Sequence, residues 1–224
     1  MVEGSSTFPV VLSLQVATAA LGIVGPVGLG IAYVQTRKRY PLRTVVDAVV
    51  LLPLVLPPSV VGFLLVTTLG RGSALGRWLE DDLNLRVVFS PLGAVVAAAL
   101  VALPLMVKAS QPALAAVPRE LEDVGRTLGL TPMAVFFRIT LPNAWPGVAA
   151  GCVLAFARAL GEFGATLMLA GMIPGRTNTM ALEIYAAWEM GDTERAGHYV
   201  LLLTIFSALV VLVAARFTPR EEAR

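Results

Sequence analysis

Long stretches almost free of charged residues recur along this chain of 224 residues. An α-helix needs about 20 consecutive, mostly apolar residues to cross the hydrocarbon core of a bilayer. Apolar residues make up 57% of the chain, above the roughly 45–50% that is usual in soluble domains. The sequence therefore predicts an all-α integral membrane protein with five spans, at about residues 10–35, 45–69, 88–110, 144–171 and 197–216.

The apolar segment from 178 to 190 is too short for a sixth span, and it contains Glu183 and Glu189. These properties favour a helix at the membrane surface. No internal repeat or linker divides the chain, so residues 1–224 are predicted to form a single transmembrane domain.

Positive charges are unevenly distributed between the two sets of predicted loops. Cytoplasmic loops carry the excess of Lys and Arg. Eleven basic residues follow the first, third and fifth spans, namely Arg37, Lys38, Arg39, Arg43, Lys108, Arg119, Arg126, Arg138, Arg216, Arg220 and Arg224, whereas five lie in the opposite loops, namely Arg71, Arg77, Arg86, Arg176 and Arg195. The predicted N-terminus is therefore outside and the C-terminus inside.

The first nine residues carry one charge, Glu3, and no basic residue, so no cleavable signal peptide is expected.

The residue types needed for several other functions are scarce. The chain has one cysteine, Cys152, and one histidine, His198, which disfavours a metal site or a membrane enzyme. A carrier driven by protons or sodium would need inverted repeats and intramembrane carboxylates, but only Asp47 and Glu162 lie near spans. The net charge of +2 follows from the topology and does not indicate nucleic-acid binding.

Two features inside the predicted spans suggest a path through the protein. Pro57 and Pro58 remove two consecutive backbone donors in the second span, which predicts a kink that lines a pore. Arg158 and Glu162 in the fourth span are four residues apart, so on one helix they could form an ion pair. This pair either holds neighbouring helices together or helps an anion to pass, and the sequence leaves both roles open.

A polar segment at about residues 118–142 separates the third and fourth spans. Pro118 can open a short helix, and Gly129 suits a left-handed C-terminal cap. Thr131 can then cap a second short helix that begins with Pro132. The segment is predicted to form two short helices joined by a tight corner on the cytoplasmic side.

The spacing within this segment resembles the EAA loop of ABC-importer permeases. Gly129 is followed after nine residues by Ile139, then by Leu141 and Pro142, although the triplet reads Asp-Val-Gly from Asp123 and not Glu-Ala-Ala. The resemblance extends in the same order to LLPLVLPPSVVGFLLV, LPLMVKA and LAFARALGEFGATLMLAGMIPGRTNTMALEIY. This set is similar to the MetI-like permeases and, among them, to the molybdate permeases of bacterial ABC importers.

The resemblance implies a multi-pass permease in the bacterial plasma (inner) membrane that carries an oxyanion. Molybdate is the expected substrate, and tungstate or sulfate/thiosulfate remain alternatives. The implied partners are a second copy of the chain, two ABC ATPase subunits and a periplasmic or extracellular oxyanion-binding protein.

Neither Lys38 nor Lys108 follows a phosphate-binding glycine loop, so ATP and Mg²⁺ are expected on the ATPase and no cofactor on this chain. The expected ATPase-coupling residues are Asp123, Gly129, Leu130, Ala134, Phe136, Ile139, Leu141 and Pro142.

Overall fold

The computed structural model describes residues 7–216, and the regular elements in that range are helices. They are α1 (Phe8–Arg37), α2 (Arg43–Val55), α3 (Pro58–Leu69), α4 (Ala74–Arg77), α5 (Pro91–Ala115), α6 (Arg119–Thr127), α7 (Pro132–Val135), α8 (Leu141–Leu160), α9 (Gly164–Ala170), α10 (Met180–Glu189) and α11 (Thr193–Ala215). Two π-helical turns, Trp78–Asp82 and Phe136–Thr140, follow α4 and α7.

Four of the helical stretches in residues 7–216 are long and apolar enough to cross a membrane. They are α1, α5, α11 and a stretch that runs from Pro132 to Leu160. Helices α2 and α3 qualify as a pair, bent by 111° at the break between them, and give a fifth span if the pair crosses as one. The all-helical architecture with up to five spans agrees with the sequence prediction. The orientation across the membrane stays a prediction from charge, and Arg220 and Arg224 lie outside the described residues.

The predicted fourth span, 144–171, needs correction at both ends. The helix starts at Pro132, continues through α7 and the π-helical turn into α8, and ends at Leu160. The second short helix expected in the polar segment is therefore the beginning of this long helix. The helix is interrupted after Leu160, and the Glu162 carboxylate accepts a hydrogen bond from the Ala165 backbone N–H at 2.8 Å at the start of α9.

Helix α5 lies at the centre of the fold, packed against α1 and α8. Met106 fills the space between them, since a Cβ on Gly28 would lie 2.7 Å from its Cγ and one on Gly151 3.3 Å from its Sδ. Small residues allow helix backbones to approach closely in membranes. Pro26 lies inside α1 without dividing it. This three-helix core holds the 118–142 segment at one end.

Helix α10 corresponds to the predicted surface helix, but one side of it is buried. Glu183 is 4% exposed, accepts a hydrogen bond from Asn178 Nδ2 at 2.7 Å and pairs with Arg195 of α11. The acidic residues that favoured a surface position therefore include one that is neutralised by its neighbours. Because the charge of Glu183 is paired, it does not oppose the packing of α10 against α11.

Candidate functional site

Helix α6 ends at a sharp corner made by Gly129. This glycine has a φ of 85°, in the left-handed region that a residue with a Cβ seldom adopts. Its N–H donates to the Arg126 carbonyl at 3.0 Å, and the N–H of Leu130 donates to the Gly125 carbonyl at 3.1 Å. These two bonds form a Schellman motif, which satisfies the last carbonyls of α6. The capping role predicted for Gly129 is confirmed.

The helix after the corner begins as its sequence predicts. Thr131 Oγ1 accepts a hydrogen bond from the Ala134 N–H at 3.3 Å, and Pro132 occupies the first helical position. Three residues, 128–130, separate the last residue of α6 from this cap. The corner is therefore short, and both of its ends are fixed by hydrogen bonds.

Gly125, the third residue of the unusual triplet, packs directly on the second helix. A Cβ on Gly125 would lie 2.5 Å from Cδ1 of Ile139 and 3.4 Å from Cγ2 of Val135. Even a methyl group at this position would require the Ile139 side chain to move, so glycine fits here in place of alanine. Ile139 is half-buried by this contact, so its place in the motif spacing serves packing within the segment.

A buried carboxylate, Glu122, joins the 118–142 segment, which we name the coupling segment after its predicted role, to the helix bundle. Only 2% of Glu122 is exposed. Its Oε1 lies 2.9 Å from Arg37 Nη2 at the end of α1 and accepts a hydrogen bond from Thr140 Oγ1 at 2.7 Å. Arg126 Nη2 lies 3.5 Å from Oε2. The sequence does not reveal this role of Glu122, because its partners Arg37 and Thr140 are distant along the chain and have no spacing signature.

Beside the buried residues Glu122 and Gly125, the segment exposes five large apolar side chains. Leu121, Val124 and Leu128 follow one face of α6 at helical spacing, and Met133 and Phe137 extend the surface onto the next helix. The exposed fractions are 45% for Leu121, 56% for Val124, 77% for Leu128, 67% for Met133 and 56% for Phe137. We call these five residues the apolar ridge.

The coupling residues expected from the sequence divide into two groups. Asp123, Gly129 and Pro142 are exposed, whereas Leu130, Ala134, Phe136, Ile139 and Leu141 are half-buried. Phe136 packs edge-on against Tyr33 of α1, with ring centroids 4.9 Å apart, and Phe137 beside it points outward. The half-buried group positions the segment, and the apolar ridge supplies most of its open apolar surface.

A second region lies where two helix breaks meet, and the predicted path residues Pro57 and Pro58 are both exposed there. One break separates α2 from α3 just before Pro58, and the other is the 161–163 interruption between α8 and α9. A Cβ on Gly164 would lie 2.6 Å from Cβ of Pro58, and one on Gly62 would lie 2.5 Å from Cβ of Met168. The kink predicted at Pro57 and Pro58 is present, and it lies against the segment that follows Glu162.

Arg158 and Glu162 form the ion pair predicted from their spacing, with Nη1 and Oε2 2.8 Å apart. They do not share one helix, because α8 ends at Leu160 and Glu162 lies in the break. Glu162 also caps α9 through Ala165, and its side chain is only 2% exposed. The Arg158 side chain is 29% exposed. Glu162 is therefore fixed structurally, while part of the Arg158 side chain stays open.

The chain between α9 and α10 is held by its own side chains. Thr177 Oγ1 donates to the Gly171 carbonyl and accepts from the Ile173 N–H, both at 2.9 Å. Asn178 Oδ1 accepts from the Gly175 N–H at 2.9 Å. These bonds give a fixed shape to the IPGRTNT run that carried part of the sequence resemblance.

Comparison with known proteins places this arrangement in one family. The family model described as binding-protein-dependent transport system inner membrane component matches residues 24–220. The molybdenum transport system permease protein ModB of Escherichia coli K12 is 41% identical over 211 residues, covering 94% of this chain and 92% of that protein. The ModB protein of Mycobacterium tuberculosis is 41% identical over 215 residues, covering 96% and 81%. A probable sulfate transport system permease protein, cysT of Nephroselmis olivacea, is 35% identical over 214 residues, covering 92% and 75%.

Solved structures agree on the fold. An inward-facing structure of the MetNI methionine ABC transporter superimposes with a TM-score of 0.69 at 18% identity, covering 94% of this chain and 95% of that one. An amino acid ABC transporter gives a TM-score of 0.59 at 16% identity, covering 92% and 91%. The chain therefore belongs to the binding-protein-dependent transport system inner membrane component family, the multi-pass permease subunits of ABC importers in bacterial plasma membranes.

Proposed function

We propose that this chain is the permease subunit of a molybdate importer whose ATP is hydrolysed on a separate subunit. The molybdenum permeases at 41% identity support this substrate over sulfate, whose permease is similar at 35%. Tungstate has nearly the size and charge of molybdate and shares the path on this proposal. The chain itself has no catalytic site for ATP, and Mg²⁺ acts on the ATPase.

The apolar ridge is the observation that carries the ATPase assignment. Leu128 is 77% exposed and Met133 67% exposed, beside a corner whose backbone is fully capped. Several large apolar side chains exposed close together in the sequence on a rigid element are typical of a protein interaction site. Burying one such side chain contributes about 1.5–3 kcal/mol. Five of them provide enough contact surface for a partner that must transmit force.

The basic residues that follow the first and third spans support a cytoplasmic position for the apolar ridge. Arg37, Lys38 and Arg39 adjoin the end of α1, and Arg126 and Arg138 lie in the coupling segment itself. An ATPase fed by cellular ATP must dock on this side.

We place the anion path where the two helix breaks meet. Irregular backbone at membrane depth is tolerated only where protein or water satisfies its polar groups. The open side of Arg158 can attract an oxyanion there, and Glu162 weakens that attraction enough for release. Two copies of the chain would surround the path, and an oxyanion-binding protein would deliver the substrate from outside.

The central experiment is ATP hydrolysis by the complete complex in liposomes. The permease, its ATPase and the binding protein are combined, and the binding protein is loaded with molybdate, tungstate or sulfate. We expect molybdate and tungstate to stimulate hydrolysis more than sulfate does. Stimulation of hydrolysis by sulfate alone would identify the chain as a sulfate permease. Uptake that needs a proton or sodium gradient and no ATPase would refute the importer assignment.

The role of Arg158 can be tested with Arg158→Gln and, as the charge-preserving control, Arg158→Lys. If Arg158 belongs to the path, Arg158→Gln assembles normally and loses most uptake, while Arg158→Lys retains it. Loss of assembly in Arg158→Gln would identify the ion pair as a structural link between helices and would remove Arg158 from the path.

A further inference from the structure

We propose that Glu122 transmits the movement of the coupling segment to the helix bundle. This inference rests on the proposed function, because it assumes that an ATPase moves α6. It assigns to Glu122 a positioning role that is separate from the docking surface. Glu122 belongs to α6 but faces away from the apolar ridge.

Three of the long helices converge on this carboxylate at one end of the bundle. Arg37, at the end of α1, contacts Glu122 at 2.9 Å and also donates to the Val117 carbonyl at 2.9 Å, just after α5. Thr140, immediately before α8, donates to Glu122 at 2.7 Å. Helices α1, α5 and α8 are also the three that form the packed core. A displacement of Glu122 therefore acts on all three together.

The burial of this network makes it a stiff connection. Side-chain exposure is 3% for Glu122 and 9% for Arg37. Separating buried charges leaves each without a partner, and this costs far more than breaking an exposed pair. By contrast, Asp123 and Arg126 of the same helix form a pair in which both side chains are about half exposed or more. The buried pair, and not the exposed one, can carry force from α6 into the bundle.

The π-helical turn Phe136–Thr140 adds a place where the long helix can adjust. Turns of this type interrupt the regular hydrogen bonding of an α-helix and occur frequently at functional sites. Thr140 is the last residue of the turn and holds Glu122 directly. Movement of α6 thus reaches the long helix at its least regular turn.

The test uses the full complex and compares Glu122→Gln with Glu120→Gln. Both substitutions neutralise one glutamate of α6, but Glu120 is exposed and makes no contact with the network. The readout is the number of anions transported for each ATP hydrolysed by assembled complex. A residue that only stabilises the fold lowers the amount of complex but leaves this ratio unchanged. We expect the ratio to fall at least about tenfold in Glu122→Gln, equivalent to about 1.4 kcal/mol of lost coupling, and to stay unchanged in Glu120→Gln.

A second pair of variants tests the proposal if Glu122→Gln does not assemble. Thr140→Val keeps the volume of the side chain and removes the hydrogen bond to Glu122, whereas Thr140→Ser keeps the hydroxyl. We expect a lower ratio in Thr140→Val than in Thr140→Ser. Equal ratios in these two variants, or a wild-type ratio in Glu122→Gln, would overturn the proposal.

Fluorescent labels separate this proposal from the proposed function. Cysteine is introduced at Arg119 in α6 or at Val34 in α1, with Cys152 replaced by Ala. In the wild type, both labels should respond when the ATPase binds ATP. In Glu122→Gln, only the α6 label should respond. No response of the α6 label in the wild type would refute ATPase docking, whereas an unchanged response of the α1 label in Glu122→Gln would refute transmission.

Discussion

Removing Leu128 from the apolar ridge should weaken ATPase binding without disturbing the permease. Leu128 is 77% exposed, so it contributes little to packing within the chain. Full burial of a leucine side chain contributes about 1.5–3 kcal/mol. Burying the exposed part in an interface would then contribute about 1–2 kcal/mol, and Leu128→Ala should raise the dissociation constant roughly 5- to 30-fold.

The assay is a titration of the ATPase against the permease in lipid nanodiscs. Leu201→Ala is the matched control, because Leu201 is 60% exposed but lies on α11, away from the coupling segment. The dissociation constant of the ATPase from Leu201→Ala should equal that from the wild type. Both variants should unfold at the same denaturant concentration as the wild type. If Leu128→Ala binds the ATPase as tightly as Leu201→Ala does, the apolar ridge is not the docking surface.

Further predictions concern the packing that positions the two regions, and unfolding in detergent measures each of them. Gly164→Ala should destabilise the protein by about 1–3 kcal/mol because its Cβ meets the α3 proline ring, whereas Gly197→Ala, with open space around it, should not. Thr177→Val should cost about 1–3 kcal/mol by leaving buried backbone groups unpaired, and equal stability would contradict the role given to this hydroxyl. Phe136→Ala should lower the free energy of unfolding by about 2 kcal/mol, half the usual loss for a buried phenylalanine. Phe137→Ala should leave stability unchanged and weaken ATPase binding. If Phe137→Ala destabilises the protein and Phe136→Ala weakens ATPase binding, the two roles are exchanged.

Local signals in the sequence predicted the elements that depend on neighbouring residues. Gly129 and Thr131 were identified as caps because helix ends have strong residue preferences over a few positions. The spacing of Arg158 and Glu162 predicted their ion pair because residues four apart stay close in space, even though α8 ends at Leu160. The long apolar stretches predicted α1, α5 and α11 because the thickness of the bilayer fixes the length of a span.

Features that depend on distant residues were not predicted. The apolar stretch 144–171 reads as one span, but the cap that Glu162 provides for α9 divides it, and hydropathy does not register such a hydrogen bond. Glu122 resembled any acidic residue in the first turns of a helix, because its partner Arg37 is 85 positions earlier in the sequence. The predicted ATPase contacts include Phe136 and not Phe137, since the sequence does not reveal which ring packs against Tyr33.

The most direct test of the account is the accessibility of a cysteine at position 128. Leu128→Cys is introduced with Cys152 replaced by Ala, and a membrane-impermeant maleimide is applied to right-side-out and inside-out vesicles. We expect labelling only in inside-out vesicles, and protection from labelling when the ATPase is present. Labelling in right-side-out vesicles, or labelling of inside-out vesicles that the ATPase does not reduce, would contradict the claim that force enters the bundle through this segment.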